Sequence, residues 1–336
     1  MKNDVLITVN IAIFNGSSYV RNAIESILNQ TYKNFELLII NDGSTDNSLE
    51  IINSFKDDRI RVLNNDKNRG LIYSRNRAVK ESRGKYFAIL DCDDYSYSHR
   101  LEAQCQLLES HPEIAICGSN ALFILDKQSD TFEYTHKVPH ENLSFEILFR
   151  NVFVNSTLMI RKNIMLELGG YRDEYYMAED FDLSQRIIER YEAKNIDETL
   201  IKYRIHDQNI SYVNADKVRL SELKVINNMH KFLGLETNDT LLNAHHDIYT
   251  DKLNSESVLV YKSLLEQLLE RNKKLNVYPA EKFKSFIYLK WYHIIRTQAG
   301  RKSLKYYLYN YRLLDSNEMT FKHFRKIFKQ SLGIKC

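Results

Sequence analysis

Short apolar runs alternate with amphipathic stretches through the first half of the chain. Phe35–Asn41 contains an uninterrupted apolar run from Leu37 to Ile40, which is typical of a buried strand. From Val20 to Leu28 the apolar residues recur every three or four positions, which predicts one buried face of a helix. The same patterns predict strands at residues 6–14, 35–41, 60–63, 86–91, 114–119 and 156–160, and helices at residues 17–30, 46–55, 74–82, 100–110, 162–168 and 179–191. We expect Ser17 or Ser18 to cap the first helix and Asp46 the second.

Strand and helix therefore alternate, which predicts an α/β fold with a mostly parallel sheet flanked by helices. Such sheets bind ligands at the carboxyl ends of their strands. Polar residues follow the first, second and fourth strands, at residues 15–16, 42–44 and 91–94, so we expect them along one edge. Beyond residue 213 the pattern is helical. The chain is thus expected to comprise a catalytic domain at residues 1–215 and a helical C-terminal region at 216–336.

The acidic segment Asp91-Cys92-Asp93-Asp94 directly follows an apolar strand. Carboxylates at such a position are hard oxygen ligands for Mg²⁺ or Mn²⁺, whose open positions substrate phosphates can fill. A solvated acidic turn is the alternative interpretation. A phosphatase of the aspartyl-phosphate type would carry its acidic pair after the first strand, and a calcium loop would need more carboxylates.

Two further motifs suit a nucleotide. The turn at residues 41–46 places the Asp42 carboxylate at a strand end, where it could accept hydrogen bonds from a base or ribose or simply stabilise the turn. Asn68-Arg69-Gly70 precedes Ser74-Arg75-Asn76, and an arginine at the start of a helix suits a diphosphate, although surface arginines are common.

Glu179, Asp180 and Asp182 begin a predicted helix, where acidic residues are also favoured by the helix dipole alone. A carboxylate here could instead act as the general base that accepts a proton from an acceptor hydroxyl. His206, in the segment Tyr203-Arg204-Ile205-His206, is either a metal or phosphate contact or a structural residue.

Taken in order, these motifs resemble family 2 glycosyltransferases of the GT-A fold over roughly residues 5–212. The resemblance implies an inverting transfer of a hexose or N-acetylhexosamine from a UDP-sugar to an acceptor hydroxyl, with Mn²⁺ or Mg²⁺ as cofactor. It implies Asp180 as the base, with Glu179 orienting the acceptor. It implies Asp93 as a metal ligand, and His206, at the end of the matching run, is expected to be a second metal ligand. The remaining residues are expected to contact the nucleotide-sugar: Ile13, Phe14, Asn15, Asp42, Asn68, Arg75, Asp91 and Cys92.

The sequence departs from this family in two ways. Asn41 stands where many members have an additional aspartate, and the Gln-x-x-Arg-Trp signature of processive synthases is missing, which favours a single addition. A nucleotide-sugar-binding regulator of the same fold without transfer activity is the alternative function. A dinucleotide-dependent oxidoreductase would require Gly-x-Gly-x-x-Gly after the first strand, and a nucleotidyltransferase a Gly- and Lys-rich loop there.

Charge is unevenly distributed along the chain. Residues 281–336 contain thirteen Lys or Arg against three Asp or Glu, whereas residues 1–280 have seven more acidic than basic residues. Aromatic residues alternate with the basic ones, which suits either an anionic membrane surface or a helical subdomain with an aromatic core. No nucleic-acid motif accompanies the basic residues.

The four cysteines form no CxxC pair, and no segment reaches about 20 apolar residues. We therefore expect a cytoplasmic protein, peripheral on the inner face of the membrane if the basic region binds lipid. Its acceptor is expected to be a glycan or a lipid-linked glycan, as in assembly of a cell-surface polysaccharide.

Overall fold

A computed structural model describes residues 5–127, 130–137, 139–207, 209, 214–308 and 321–332. The chain forms two compact units that divide after Ser221, except that Ile147–Arg150 belongs to the second. The first unit contains the sheet, and the second is helical. Each unit has its own buried apolar core.

The described part of the first unit contains a nine-stranded sheet in the order β3-β2-β1-β4-β8-β6-β9-β5, with β7 paired to β6. The strands are β1 (Ile7–Ile13), β2 (Phe35–Asn41), β3 (Ile60–Asn64), β4 (Tyr86–Ile89), β5 (Tyr95–Ser96), β6 (Ile114–Lys127), β7 (Asp130–His136), β8 (Met159–Arg161) and β9 (Glu192–Ile205). Strands β1 to β4 pair in parallel, as do β6 and β9, and the other pairs are antiparallel. The α/β class is confirmed, and the carboxyl ends of β1, β2 and β4 lie at one edge.

Helices cover the sheet. They are α1 (Val20–Leu28), α2 (Ser48–Ser54), α3 (Leu71–Glu81), α4 (Arg100–Ser110), α5 (Leu143–Glu146), α6 (Lys162–Glu167) and α7 (Glu179–Ile188). Every residue of β2 is buried, because the sheet is covered on both faces there. The helix α1 buries its predicted apolar face, which includes Val20, Ile24 and Ile27.

Several predicted boundaries are wrong. The first helix begins after Tyr19 and has no side-chain cap, so neither Ser17 nor Ser18 caps it. The second begins after Asn47, and Asp46 instead accepts hydrogen bonds from the backbone N–H groups of Ser17 and Ser48, each at 3.0 Å.

Helix α3 begins at Leu71, directly after Gly70 with its positive φ of 92°, and not at Ser74. The long strand β9 was not predicted, since its charged and apolar residues do not alternate cleanly. Segment 156–160 is only partly a strand, because a 3-10 turn spans Asn155–Thr157.

The second unit is built from the end of α8 (Ala215–Phe232) together with α9 (Asp239–Tyr249), α10 (Val258–Leu275), α11 (Ala280–Gln298), α12 (Ser303–Leu308) and α13 (Phe321–Ser331). Its core includes Tyr261, Phe283, Tyr288 and Trp291, which are all fully buried. The aromatics of α11 are therefore largely core residues. Part of the predicted helical stretch 282–311 lies outside the described residues, and within those described no helix is long and apolar enough to cross a membrane.

Candidate active site

A cleft of about 540 Å³ opens at the carboxyl edge of the parallel strands. Eleven of the twelve predicted site residues line it. They are Ile13, Phe14, Asn15, Asp42, Asn68, Arg75, Asp91, Cys92, Asp93, Glu179 and Asp180. The twelfth, His206, contacts Asp93. The structure thus brings together residues up to about 190 positions apart, while their roles remain predictions.

The loops after β1 and β2 support each other. Asn15, at a positive φ of 54°, accepts a hydrogen bond from the backbone N–H of Thr45 at 2.8 Å. Phe14 beside it is 45% exposed, so its ring is open to a planar ligand. Asn41, the departure noted in the sequence, donates to Asn64 at 2.9 Å and accepts from the backbone of Ser44. This amide therefore shapes the turn.

The Asp42 carboxylate is buried and already has three donors. It accepts hydrogen bonds from the Asn65 amide at 2.6 Å and from the backbone N–H groups of Arg69 and Gly70, each at 2.9 Å. Asn68 belongs to the same loop, and its side chain also accepts from Gly70. Asp42 therefore holds the loop before α3 against the end of β2 and forms part of the cleft wall.

The acidic segment after β4 divides into residues with different surroundings. Asp91 accepts hydrogen bonds from Arg75 at 2.8 Å and Asn155 at 2.9 Å. Asp94 is buried, accepts from the backbone N–H of Arg204 at 2.9 Å and from Ser156, and so ties β4 to the end of β9. Burial and the neighbouring aspartates raise the pKa of Asp94 well above its usual value.

Asp93 faces His206, with 3.0 Å between the carboxylate Oδ2 and the imidazole Nε2. Tyr19 stacks on the His206 ring, with centroids 4.8 Å apart, which fixes the ring's orientation. Burial and Asp91 raise the pKa of Asp93.

These two groups fit a divalent ion. The observed separation of 3.0 Å is that of a hydrogen bond, and it is also the spacing of two ligand atoms at right angles around an ion, each about 2.1 Å away. A carboxylate with an imidazole is a donor set for first-row divalent ions. Within the described residues no group of three His, Cys, Asp or Glu side chains is arranged to hold a metal. Such an ion would therefore need further ligands from a bound diphosphate.

Arg75 lies in the second turn of α3 and not at its start, as the sequence suggested. Arg75 is 4% exposed, and its guanidinium pairs with Glu179 at 2.5 Å and with Asp91 at 2.8 Å. Burial opposes the charge of Arg75, but the two carboxylates raise its pKa overall. Glu179 is itself buried, so the structure directs it at Arg75.

Asp180 is half-buried at the start of α7, and its carboxylate accepts the backbone N–H of Phe181 at 2.8 Å. Burial and the neighbouring Glu179 raise the pKa of Asp180 to about 6, with Arg75 opposing them. A carboxyl that titrates near neutral pH is suited to accept a proton, because general bases act best when their pKa is near the working pH.

Several residues of the cleft were not singled out from the sequence. Asn155 donates a hydrogen bond to Asp91, and Tyr203, Tyr176 and Met177 line the cleft. Met177 has a positive φ of 73°, which is uncommon for a residue with a side chain. Tyr203 belongs to the segment recognised for His206 and could have been found there, whereas the others carry no local signal.

Clustered carboxylates at the carboxyl edge of a parallel sheet, together with a carboxyl whose pKa is raised to about 6, are an arrangement that suits transfer of a group from an activated substrate. The family model for glycosyl transferase family 2 matches residues 8–169. An uncharacterized glycosyltransferase of Haemophilus influenzae is 32% identical over 224 residues, covering 63% of this chain and 69% of that protein. The chain therefore belongs to glycosyl transferase family 2.

Two other proteins are informative for comparison. The UDP-Glc:alpha-D-GlcNAc-diphosphoundecaprenol beta-1,3-glucosyltransferase WfaP of Escherichia coli is 29% identical over 244 residues, covering 72% of this chain and 90% of that protein. The crystal structure of S. aureus TarS 1-349 in complex with UDP-GlcNAc matches with a TM-score of 0.57 at 13% identity, covering 98% of this chain and 92% of that one. The fold is thus the GT-A fold.

Proposed function

We propose that this glycosyltransferase transfers a sugar from a UDP-sugar to an acceptor hydroxyl with inversion, assisted by a divalent metal ion. The observation that carries the proposal is Asp180, a carboxyl of pKa about 6 in the same cleft as the Asp91–Asp93 segment. Inverting transfer requires such a base on one side of the donor sugar and charge stabilisation of the leaving diphosphate on the other.

The part of the cleft formed by the loops after β1 and β2 suits a nucleotide. Phe14 offers an exposed ring for the base, and the loops held by Asn15 and Asp42 form the adjoining wall. Asn68 and Cys92 line the same cleft, and burial raises the pKa of the Cys92 thiol, which therefore stays protonated and uncharged. These contacts suit a neutral base and ribose.

The diphosphate would lie near Asp93 and His206. A divalent ion held there would supply positive charge to the leaving UDP. Asp91, bound to Arg75 and Asn155, is rigidly placed to accept hydrogen bonds from the ribose or donor sugar. Asp180 would accept the proton of the acceptor hydroxyl as its oxygen attacks the anomeric carbon from the face opposite the departing UDP.

The test is UDP release from a panel of UDP-sugars, with and without Mn²⁺, in the wild-type protein and three variants. Asp180→Asn should abolish turnover but leave UDP binding intact, whereas Asp93→Ala should weaken UDP binding in the presence of Mn²⁺ by about tenfold or more. Asp58→Asn, an exposed aspartate between α2 and β3, is the matched control. Turnover that survives in Asp180→Asn would refute the proposed base.

The same experiment distinguishes a glycosyltransferase from a regulator that only binds a nucleotide-sugar. Such a protein would bind UDP with Mn²⁺ and release none from any donor with any acceptor preparation. Failure to bind UDP at all would count against both functions.

We further propose that the acceptor is a glycan or lipid-linked glycan, by analogy with the diphosphoundecaprenol-linked substrate in the name of WfaP. The membrane contact would be the end of α13 and the residue that follows it. Phe328 in the helix and Leu332 just after it are 43% and 59% exposed, and Arg325 and Lys329 nearby are exposed as well. Exposed apolar residues flanked by basic ones suit an anionic lipid surface, which would place the protein at the cytoplasmic face of the membrane.

Binding to vesicles with 30% anionic lipid (about one charge in three headgroups, enough for a strongly negative surface) tests the membrane contact. The double variant Phe328→Ser/Leu332→Ser should lose binding, and vesicles of neutral lipid should bind neither protein. Equal binding by both proteins would exclude α13 as the contact.

A further inference from the structure

Arg75 joins three parts of the catalytic unit that are distant in sequence. It projects from α3, pairs with Asp91 after β4 at 2.8 Å, and pairs with Glu179 at the start of α7 at 2.5 Å. Arg75 and Glu179 are 4% and 5% exposed, so this pair is shielded from water. A buried ion pair of this kind is costly to break, because removing one partner leaves an uncompensated charge.

The two pairs occupy the guanidinium on both of its terminal nitrogens. The Tyr171 ring lies beside it, with its centroid 5.7 Å from the guanidinium carbon. The terminal nitrogens of Arg75 thus donate their hydrogen bonds to two carboxylates of the protein. This geometry does not favour a direct contact with the donor diphosphate, which the sequence had suggested for this residue.

The charges of these ion pairs also act on the Asp180 carboxyl, whose pKa Glu179 raises and Arg75 lowers. Glu179 precedes Asp180 in sequence, and two adjacent carboxylates that are both ionised repel each other. Arg75 offsets the charge of Glu179 through their ion pair and also lowers the pKa of Asp180. The other ionisable groups that act on Asp180 or respond to it are Asp91, Tyr171 and Tyr203.

We propose that Arg75 is a positioning residue of the transfer reaction, which holds Glu179 and Asp91 by its two ion pairs and so sets the charge beside Asp180. This role rests on the function proposed above. Arg75 acts through Glu179 and Asp91 and touches no reacting atom. Its loss should therefore change the pH dependence of turnover as well as its rate.

The experiment measures kcat against pH at saturating donor and Mn²⁺, with UDP release from UDP-glucose or UDP-GlcNAc, whichever turns over. In Arg75→Met the acid limb of the pH–kcat profile should move to higher pH, because the charge of Arg75 lowers the pKa of Asp180. We expect a shift of about one unit, the lower end of the effect that an opposite charge has on a carboxyl pKa. In Glu179→Gln the limb should move to lower pH. In the double variant Arg75→Met/Glu179→Gln it should return towards the wild-type position.

Arg75→Lys keeps the charge but cannot hold two carboxylates in the same way. The limb should stay near the wild-type position while kcat falls. A purely structural role would instead lower kcat at every pH and leave the limb unmoved in Arg75→Met, which would overturn the proposal. If Arg75→Met does not fold, the test rests on Glu179→Gln. An acid limb that does not move in Glu179→Gln would likewise overturn the proposal.

Failure of this role and failure of the proposed function give different results. Turnover that persists in Asp180→Asn refutes Asp180 as the base, whereas failure of the wild-type protein to release UDP from any donor contradicts the function proposed above. Loss of turnover in Asp180→Asn, combined with an unmoved limb in Arg75→Met, contradicts only the positioning role.

Discussion

Replacing Asp180 with asparagine should stabilise the sheet unit near neutral pH, although it should abolish transfer. The carboxyl has a pKa of about 6 in the folded protein against an ordinary value of 3.8. Its partial burial is the main cause, and the neighbouring Glu179 is the second. The folded protein therefore ionises Asp180 less readily than the unfolded chain does. Asparagine removes this cost because it is neutral in both states.

The magnitude follows from the two pKa values. A difference of about two units corresponds to at most about 3 kcal/mol of unfolding free energy well above pH 6. Because Asp180 is partly exposed and interacts with Glu179, we expect about 1 to 2 kcal/mol at pH 7.5. The raised pKa fixes the sign: the destabilisation is complete above pH 6 and declines as pH falls towards 3.8. At pH 4.5 about a third of the gain should remain.

Urea unfolding followed by far-UV circular dichroism at pH 7.5 and 4.5 measures the effect. Asp58→Asn, which removes an exposed carboxylate of the same unit, is the control and should change stability by less than about 0.5 kcal/mol. A variant that is no more stable than the wild type at pH 7.5 would contradict the reasoning. So would a gain that is equal at both pH values, because the stabilisation would then not come from ionisation.

Three other predictions concern the framework. Gly43→Ala should lower the unfolding free energy, measured by urea titration, by more than about 1 kcal/mol. Gly43 has a φ of 71°, and a Cβ added there would lie 2.6 Å from the Lys67 backbone. An unchanged urea midpoint would be inconsistent with this prediction. Thr8→Val should lower the unfolding free energy by about 1 to 3 kcal/mol in the same assay. The buried Thr8 hydroxyl donates a hydrogen bond to Glu36 at 2.6 Å and accepts one from the Gly84 backbone at 2.9 Å, and valine can make neither. A change below about 0.5 kcal/mol, the usual effect of a surface substitution, would argue against this prediction. Burial lowers the pKa of His230 to about 4 and that of His245 to about 3, from an ordinary value of 6.5. The unfolded chain therefore binds protons below pH 6.5 more readily than the folded protein does, and the helical unit loses stability as the pH falls from 6.5 towards 4. Trp291 fluorescence should therefore show the helical unit about 2 kcal/mol less stable per histidine at pH 5 than at pH 7.5, and equal urea midpoints would oppose this.

The local pattern predicts most of the regular elements. The apolar run of β2 and the amphipathic period of α1 and α4 require no knowledge of distant residues, and they are found nearly as predicted. Strand β9 was missed because its 14 residues are only partly buried, so its pairing with β6 depends on neighbours and not on its own composition. Helix α3 begins three residues early because Gly70 allows a backbone turn that no periodicity reveals.

By itself the sequence determined which polar residues follow which strands, and the rules for parallel sheets then place Asn15, Asp42 and Asp91 at one edge. Only the tertiary structure decided their partners. Arg75 and Glu179 are 104 positions apart, and Asp93 and His206 are 113 apart. Pairing over such separations depends on how helices and strands pack. The charge and proton affinity of the site follow from these contacts, because pKa values depend on burial and on neighbours brought close by the fold.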